Sequence, residues 1–335
     1  MQILAAFAVM ALSGPPQPQP PAALSEAVGA ALQADSGRAL AFVDSVDQSA
    51  LSTRNQALVI CMRARLRPTS EPATESAMLA DRALAIYQRY WVASMAHPAT
   101  RAEEEKRLAD ALRQLLGAPP TAGMDALEPL LAAALTKEGF HSLQGQTGLL
   151  RELMIWSKQD ERLMPVALPE GKFKVKVELL DGFKSFGWSS YATCGRASTG
   201  GWATDDALFA VVPRYASLNG EEFSVSFLGH ESQHFADKAH FKGLQSWELE
   251  YRAKLTELAQ ADATRGKVLS KFMQDQGDDP ASPHSYANRR VLGDMIARLH
   301  LNSAQDLMTA DGATLQTVAV TLLREDTQRR TGQRR

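Results

Sequence analysis

Phe227-Leu228-Gly229-His230-Glu231-Ser232-Gln233-His234 is the most informative stretch of this 335-residue chain. Residues four apart on an α-helix differ by about 40° around its axis, so a helix here turns His230 and His234 toward one point. Two imidazoles so placed suit a single metal ion. Glu231 lies about 100° round from His230, beside that point rather than on it. A carboxylate there can take a proton from water and later hand it to a leaving amine. The neighbours predict the helix: Asn219 and Glu222 have cap-and-box spacing. Phe223, Phe227, His230 and His234 fall in one stripe, the phenylalanines facing a core and the histidines its edge.

A hydrolytic metal site wants three protein ligands and one open position. Two residues compete for the third place. His240 stands ten residues after His230, but reaching back requires a tight turn at Asp237, a conformation glycine adopts far more readily. Glu250 stands sixteen residues after His234, in Trp247-Glu248-Leu249-Glu250-Tyr251-Arg252-Ala253-Lys254-Leu255. That string reads as a second helix, able to return one carboxylate to the site. Its charged neighbours Glu248, Arg252, Lys254 and Glu257 equally permit a solvated helix face. Glu250 is the expected ligand and His240 the alternative.

His-Glu-x-x-His followed by a glutamate on the next helix resembles the zincin metallopeptidases of gluzincin type, and Glu-Tyr-Arg-Ala resembles the third-ligand helix of some of them. The His230-to-His240 spacing resembles that of the metzincins instead. The likeness covers residues 219–257. It implies Zn2+ held by His230, His234 and Glu250, with Glu231 as general base and then acid, acting on a peptide or protein substrate. It also implies a substrate lying along a sheet edge, for which residues 207–212 are the candidate, with Gly200-Gly201-Trp202 allowing close approach. A His or Tyr usually steadies the oxyanion in such enzymes. Ser282-Pro283-His284-Ser285-Tyr286 offers His284 and Tyr286 for that role. One departure stands out: many gluzincins carry an Asp four residues after the glutamate ligand, and here Lys254 occupies that position. The residue orienting a ligand histidine must come from elsewhere, with Asp237 as the candidate. A different class remains open, an exported helical binding module whose metal site is structural or a relic, without peptidase activity. The fourth coordination position discriminates the two.

The rest of the chain frames this site. Ile3 to Leu12 carries no charge, and Ala11-Leu12-Ser13 resembles a small-x-small cleavage site, so residues 1–13 read as a signal peptide and the protein as exported, periplasmic or extracellular. Residues 14–22 hold five prolines and read as an extended linker. Residues 23–164 read as a helical domain without a convincing strand. Leu108, Leu112, Leu115 and Leu116 recur at helical spacing after a Thr100–Glu103 box, and Gly117 ends that helix. Asp125 and Glu128 repeat the box ahead of an apolar run, and Leu79, Ile86, Tyr87, Tyr90 and Trp91 mark a helix with an aromatic core face. Residues 165–335 read as a zincin-like catalytic domain. In it Phe173, Val175, Val177 and Leu179 alternate with charged residues as a strand, Asp181-Gly182 marks a turn, and residues 183–193 continue as the paired strand. A helical N-terminal region followed by a small antiparallel or mixed sheet and site-bearing helices is an α+β layout.

Composition sets the outer bounds. Lys+Arg 36 against Asp+Glu 38 gives a formal charge of -2, which excludes a general electrostatic grip on nucleic acid or anionic lipid. No run of eighteen apolar residues occurs, so no integral membrane span is expected. Cys61 and Cys194 permit one disulfide, or two buried thiols.

Overall fold

The computed structural model describes residues 21–67 and 76–332. The expected signal segment and most of the expected linker lie outside the described residues. The fold is α+β: helices make up most of the described residues, together with a five-stranded sheet. Among the described residues no helix is long and apolar enough to cross a membrane. Two compact units divide the chain.

The first unit comprises the described part of Met1–Asp160 together with Leu180–Thr199. It opens with α1 (Ala22–Leu32), α2 (Ser36–Asp44), α3 (Thr53–Leu66), α4 (Leu79–Ala96), α5 (Arg101–Leu116) and α6 (Met124–Lys137). Asp35 and Ser52 cap α2 and α3 by accepting backbone N–H groups. The boxes expected at Thr100 and Asp125 do not form. The Thr100 hydroxyl donates to the His97 carbonyl instead, and Glu128 turns to Arg151. Those helices still start there, because their apolar faces decide: Leu108 and Leu112 on α5, and Met124, Leu127, Leu131 and Leu135 on α6, are buried at helical spacing. Gly117 closes α5 at φ 63°.

The expectation that residues 23–164 lack strands is wrong. β1 (His141–Thr147) pairs antiparallel with β2 (Leu150–Leu168), with His141 opposite Trp156 and Thr147 opposite Leu150. Leu150, Leu153, Met154, Ile155 and Trp156 are all buried. A strand covered on both faces shows no polar alternation, which is why its sequence does not announce it. The α4 aromatics hold this strand as well as packing on it. Trp91 Nε1 donates to the Arg151 carbonyl at 2.8 Å, and the Tyr90 hydroxyl accepts from the Arg151 N–H at 3.1 Å.

β3 (Gly171–Phe186) follows β2 after a turn at Pro169-Glu170, not at Asp181-Gly182. Gly182 is a kink inside β3 at φ +67°, where Asp181 accepts the Gly182 N–H and Ser157 donates to the Gly182 carbonyl. A side chain there would run into Ser157. The expected strand over residues 183–193 ends at Phe186, and α7 (Trp188–Ala192) replaces the rest. The Trp188 N–H donates to the buried Glu152 carboxylate at 2.9 Å, fixing the start of α7. Cys61 on α3 and Cys194 just beyond α7 form a disulfide, their Cα atoms 6.1 Å apart.

The second unit comprises Glu161–Leu179 and Gly200–Arg335, as far as residues are described. The expected boundary at 164/165 therefore falls inside β2, and both long strands contribute to both units. β4 (Gly201–Ala203) pairs antiparallel with β5 (Leu208–Val211), and the sheet order is β1-β2-β3-β5-β4. The strand expected at 207–212 thus exists but is interior; β4 is the edge.

Six helices follow: α8 (Glu221–Phe223), α9 (His230–His240), α10 (Ser246–Gln260), α11 (Arg265–Gln274), α12 (Pro283–Leu299) and α13 (Gly312–Gly332), with a π-helical turn over Ser224–Gly229 leading into α9. Asn219 does not cap this region. Gly220 precedes α8, Glu222 pairs with Lys267, and Glu221 accepts the Thr264 N–H at 2.7 Å. Leu255, Leu258, Phe272, Val291, Met295 and Leu323 build the core around α10.

Candidate metal centre

The π-helical turn places His230 at the start of α9 and keeps Phe223 and Phe227 buried below it, their rings 5.5 Å apart. Such wide turns often occur where a helix must present a functional side chain. Gly201 makes room for this arrangement, since a Cβ there would strike the Phe227 ring and the Phe209 carbonyl. Gly201 thus yields its space to the core under α9. Trp202 beside it is buried against Phe209.

His230, His234 and Glu250 converge. Their ligand atoms all lie within 4.8 Å of one another, and all three residues are buried. His230 Nε2 is 3.0 Å from His234 Nε2, His234 Nε2 is 3.2 Å from Glu250 Oε1, and His230 Nε2 is 3.6 Å from Glu250 Oε2. Three ligands set tetrahedrally about 2.1 Å from one ion would stand about 3.4 Å apart. The donor set, two imidazoles and a carboxylate, therefore fits a metal ion in both spacing and chemistry.

The electrostatics make the same demand. Burial alone would lower the pKa of His230, but the Glu257 and Glu250 carboxylates beside it push it up to about 10. Burial alone would raise Glu250, yet His230 and His234 hold it well below the usual carboxylate range. Two carboxylates beside two imidazoles favour positive charge at the centre of the cluster, which a shared proton provides and a divalent cation could provide in its place.

Glu257 supports His230 from behind, with Oε1 2.5 Å from Nδ1. A proton held on Nδ1 by this carboxylate leaves Nε2 as the electron-pair donor facing the cluster. His234 Nδ1 is buried and has no hydrogen-bond partner among the described residues. Asp237 does not orient a histidine: it pairs with Arg252 at 2.9 Å and accepts from Gln233. Arg252, fully buried, also reaches Glu170 at 2.7 Å and Asp326 at 2.9 Å, tying α9, α10 and α13 to the β2–β3 turn.

His240 is not part of the cluster. α9 runs straight through Asp237 instead of turning, leaving His240 exposed and within 2.8 Å of the Ala236 carbonyl. Ten residues of helix separate it from His230 by about 15 Å. The charged stretch around Glu250 is not a solvated face either: Glu250, Arg252, Lys254 and Glu257 are all buried. Lys254 Nζ lies 3.5 Å from Glu250 Oε2.

Glu231 is buried and makes no side-chain hydrogen bond or ion pair among the described residues. His284 Nδ1 lies 2.8 Å from Glu250 Oε2 and is about one-third exposed, whereas Tyr286 packs edge-on against Trp247, ring centroids 5.1 Å apart. Glu257 is the functional candidate that sequence reasoning missed. Its spacing from Glu250, two full turns on one helix face, is the signal that was available. Comparison with family models, with curated proteins and with solved structures gives no match.

Proposed function

We propose that this chain is an exported zinc-dependent peptidase of the gluzincin kind. One observation carries the reading: two imidazoles from one helix and a carboxylate from the next meet at metal-ligand spacing, with the uncommitted carboxyl of Glu231 one residue from a ligand. His230, His234 and Glu250 would hold zinc, which as a Lewis acid polarises a scissile carbonyl and lowers the pKa of water. The residues of the chain do the rest. Glu231 takes the proton of the attacking water and passes it to the leaving amine. Glu257 keeps His230 in the tautomer that donates from Nε2. Of the two residues expected to steady the oxyanion, His284 lies against Glu250, so the Tyr286 phenol is the remaining donor for that role.

A structural zinc site enlists four protein ligands and a catalytic one three; the group here contains three, which favours hydrolysis over a binding module with a structural ion. The Cys61–Cys194 disulfide supports export, since such bridges persist in oxidising compartments. The purified chain should retain about one equivalent of zinc by elemental analysis, and His230→Ala or His234→Ala should lose most of it. It should cleave members of a broad peptide library, with cleavage abolished by a chelator and restored by zinc. Full metal retention in both variants sinks the site. Zinc bound without cleavage of any peptide transfers the site to the binding-module class.

A further inference from the structure

The second oxygen of Glu250 faces two groups outside the ligand set as well as His230 Nε2 at 3.6 Å. His284 Nδ1 lies 2.8 Å and Lys254 Nζ 3.5 Å from Oε2, while Oε1 faces His234 Nε2 at 3.2 Å. His284 itself stands outside the three residues whose ligand atoms lie within 4.8 Å of one another. Its backbone is fixed. Pro283 opens α12, the Ser285 hydroxyl donates to Asp275, the Asn288 amide donates to the Asp275 carbonyl at 2.7 Å, and the Ser285 carbonyl accepts the Gly277 N–H. Oε1 has His234 close to it, whereas Oε2 is shared between His230, His284 and Lys254.

The geometry points to His284 as a positioning residue for the metal ligand Glu250, rather than as a donor to the substrate's oxyanion. This inference rests on the metal centre proposed above. His284 Nδ1 and Lys254 Nζ both stand against Oε2, which accepts no hydrogen bond among the described residues as the group stands, so with an ion bound these two would hold that oxygen while Glu250 turns Oε1 to the ion. A ligand carboxylate held this way keeps its orientation while peptide enters, and the grip arrives from a third helix, α12, beyond the two that carry the ligands. It also accounts for a lysine at the position four residues after Glu250: Glu257 supports the histidine, and Lys254 with His284 supports the glutamate.

The test compares wild type, His284→Ala and His284→Gln, the last keeping a side-chain N–H donor. Zinc affinity is measured by competition with a chromophoric chelator, and geometry by the visible spectrum of the Co2+-substituted protein. His284→Ala should weaken zinc about 10- to 100-fold and alter the Co2+ bands, and His284→Gln should restore affinity to within about threefold of wild type. Unchanged affinity and spectrum in His284→Ala, with hydrolysis reduced, would place His284 on the substrate and overturn the proposal. A glutamine variant as impaired as alanine would make His284 a ligand itself and overturn it equally. A wild-type chain that binds no zinc removes the metal centre first, and this proposal with it.

Discussion

Glu257 Oε1 stands 2.5 Å from His230 Nδ1, seven residues beyond Glu250 on the same helix. Seven residues bring a side chain back to within about 20° of its starting direction, so α10 presents Glu250 to the cluster and Glu257 to the back of a ligand one layer further along. One helix thereby supplies both a carboxylate of the cluster and the carboxylate that holds His230 from behind.

Removing that support should be visible in metal binding. Glu257→Ala is expected to weaken zinc by about 10- to 100-fold, because the His230 ring loses both its fixed tautomer and its orientation. Glu257→Gln, whose amide oxygen still accepts from Nδ1–H, should lose less. Chelator competition at one pH decides it, and equal affinities for wild type and Glu257→Ala would remove Glu257 from the site.

The metal should survive a change at Glu231. Glu231→Gln keeps the shape of the side chain and cannot accept a proton at neutral pH, so zinc content should remain near one equivalent while peptide hydrolysis falls by about 100-fold or more. Cleavage at the wild-type rate would show that another group handles the proton.

The sequence made the centre of the site legible because helical periodicity alone brings His230 and His234 together, and the Trp247–Leu255 composition announces the helix carrying Glu250. What surrounds them depends on tertiary packing. Arg252, Lys254 and Glu257 look like a solvated face until their partners on other elements are known, and Asp237 finds Arg252 instead of a histidine. The strands at 141–168 were hidden for a related reason. β1 is mostly polar and includes Gly145, and the apolar run of β2 over residues 153–156 does not alternate, so neither shows a period of two. At Asp181-Gly182 a good turn dipeptide became a kink, because the hydrogen bonds from Ser157 and to Asp181 satisfy it within a continuing strand.

Arg252 tests how far the buried charge network sustains the second unit. Its guanidinium meets Asp237, Asp326 and Glu170 and is itself inaccessible to solvent. Breaking such a cluster from one side leaves Asp237 buried without its cation, while Asp326 keeps Arg330 and Glu170 reaches solvent, so Arg252→Met should destabilise the protein by about 3 kcal/mol. Adding Asp237→Asn should recover part of the loss. Denaturant unfolding of the single and double variants measures both effects, and a loss below about 1 kcal/mol would mean that water reaches the acids and the cluster is not structural.

Glu152 gives the first unit a pH dependence whose sign can be worked out. Its carboxylate is buried, accepts from the Leu153 and Trp188 N–H groups and from the Thr147 hydroxyl, and is pushed by burial from an ordinary 4.5 up to about 7. Between those two values the folded chain holds a proton that the unfolded chain has released. Stability from this group is therefore fully present below pH 4.5 and is lost as pH rises through 7, a swing of about 3 kcal/mol. Glu152→Gln is neutral at every pH and keeps an oxygen for the two backbone donors. The stability of wild type relative to this variant should accordingly fall by about 3 kcal/mol between pH 4 and pH 8, with the contributions of all other titrating groups cancelling in the difference. Parallel stability curves for the two proteins across that range would show that Glu152 stays ionised in the fold and that its three donors outweigh its burial.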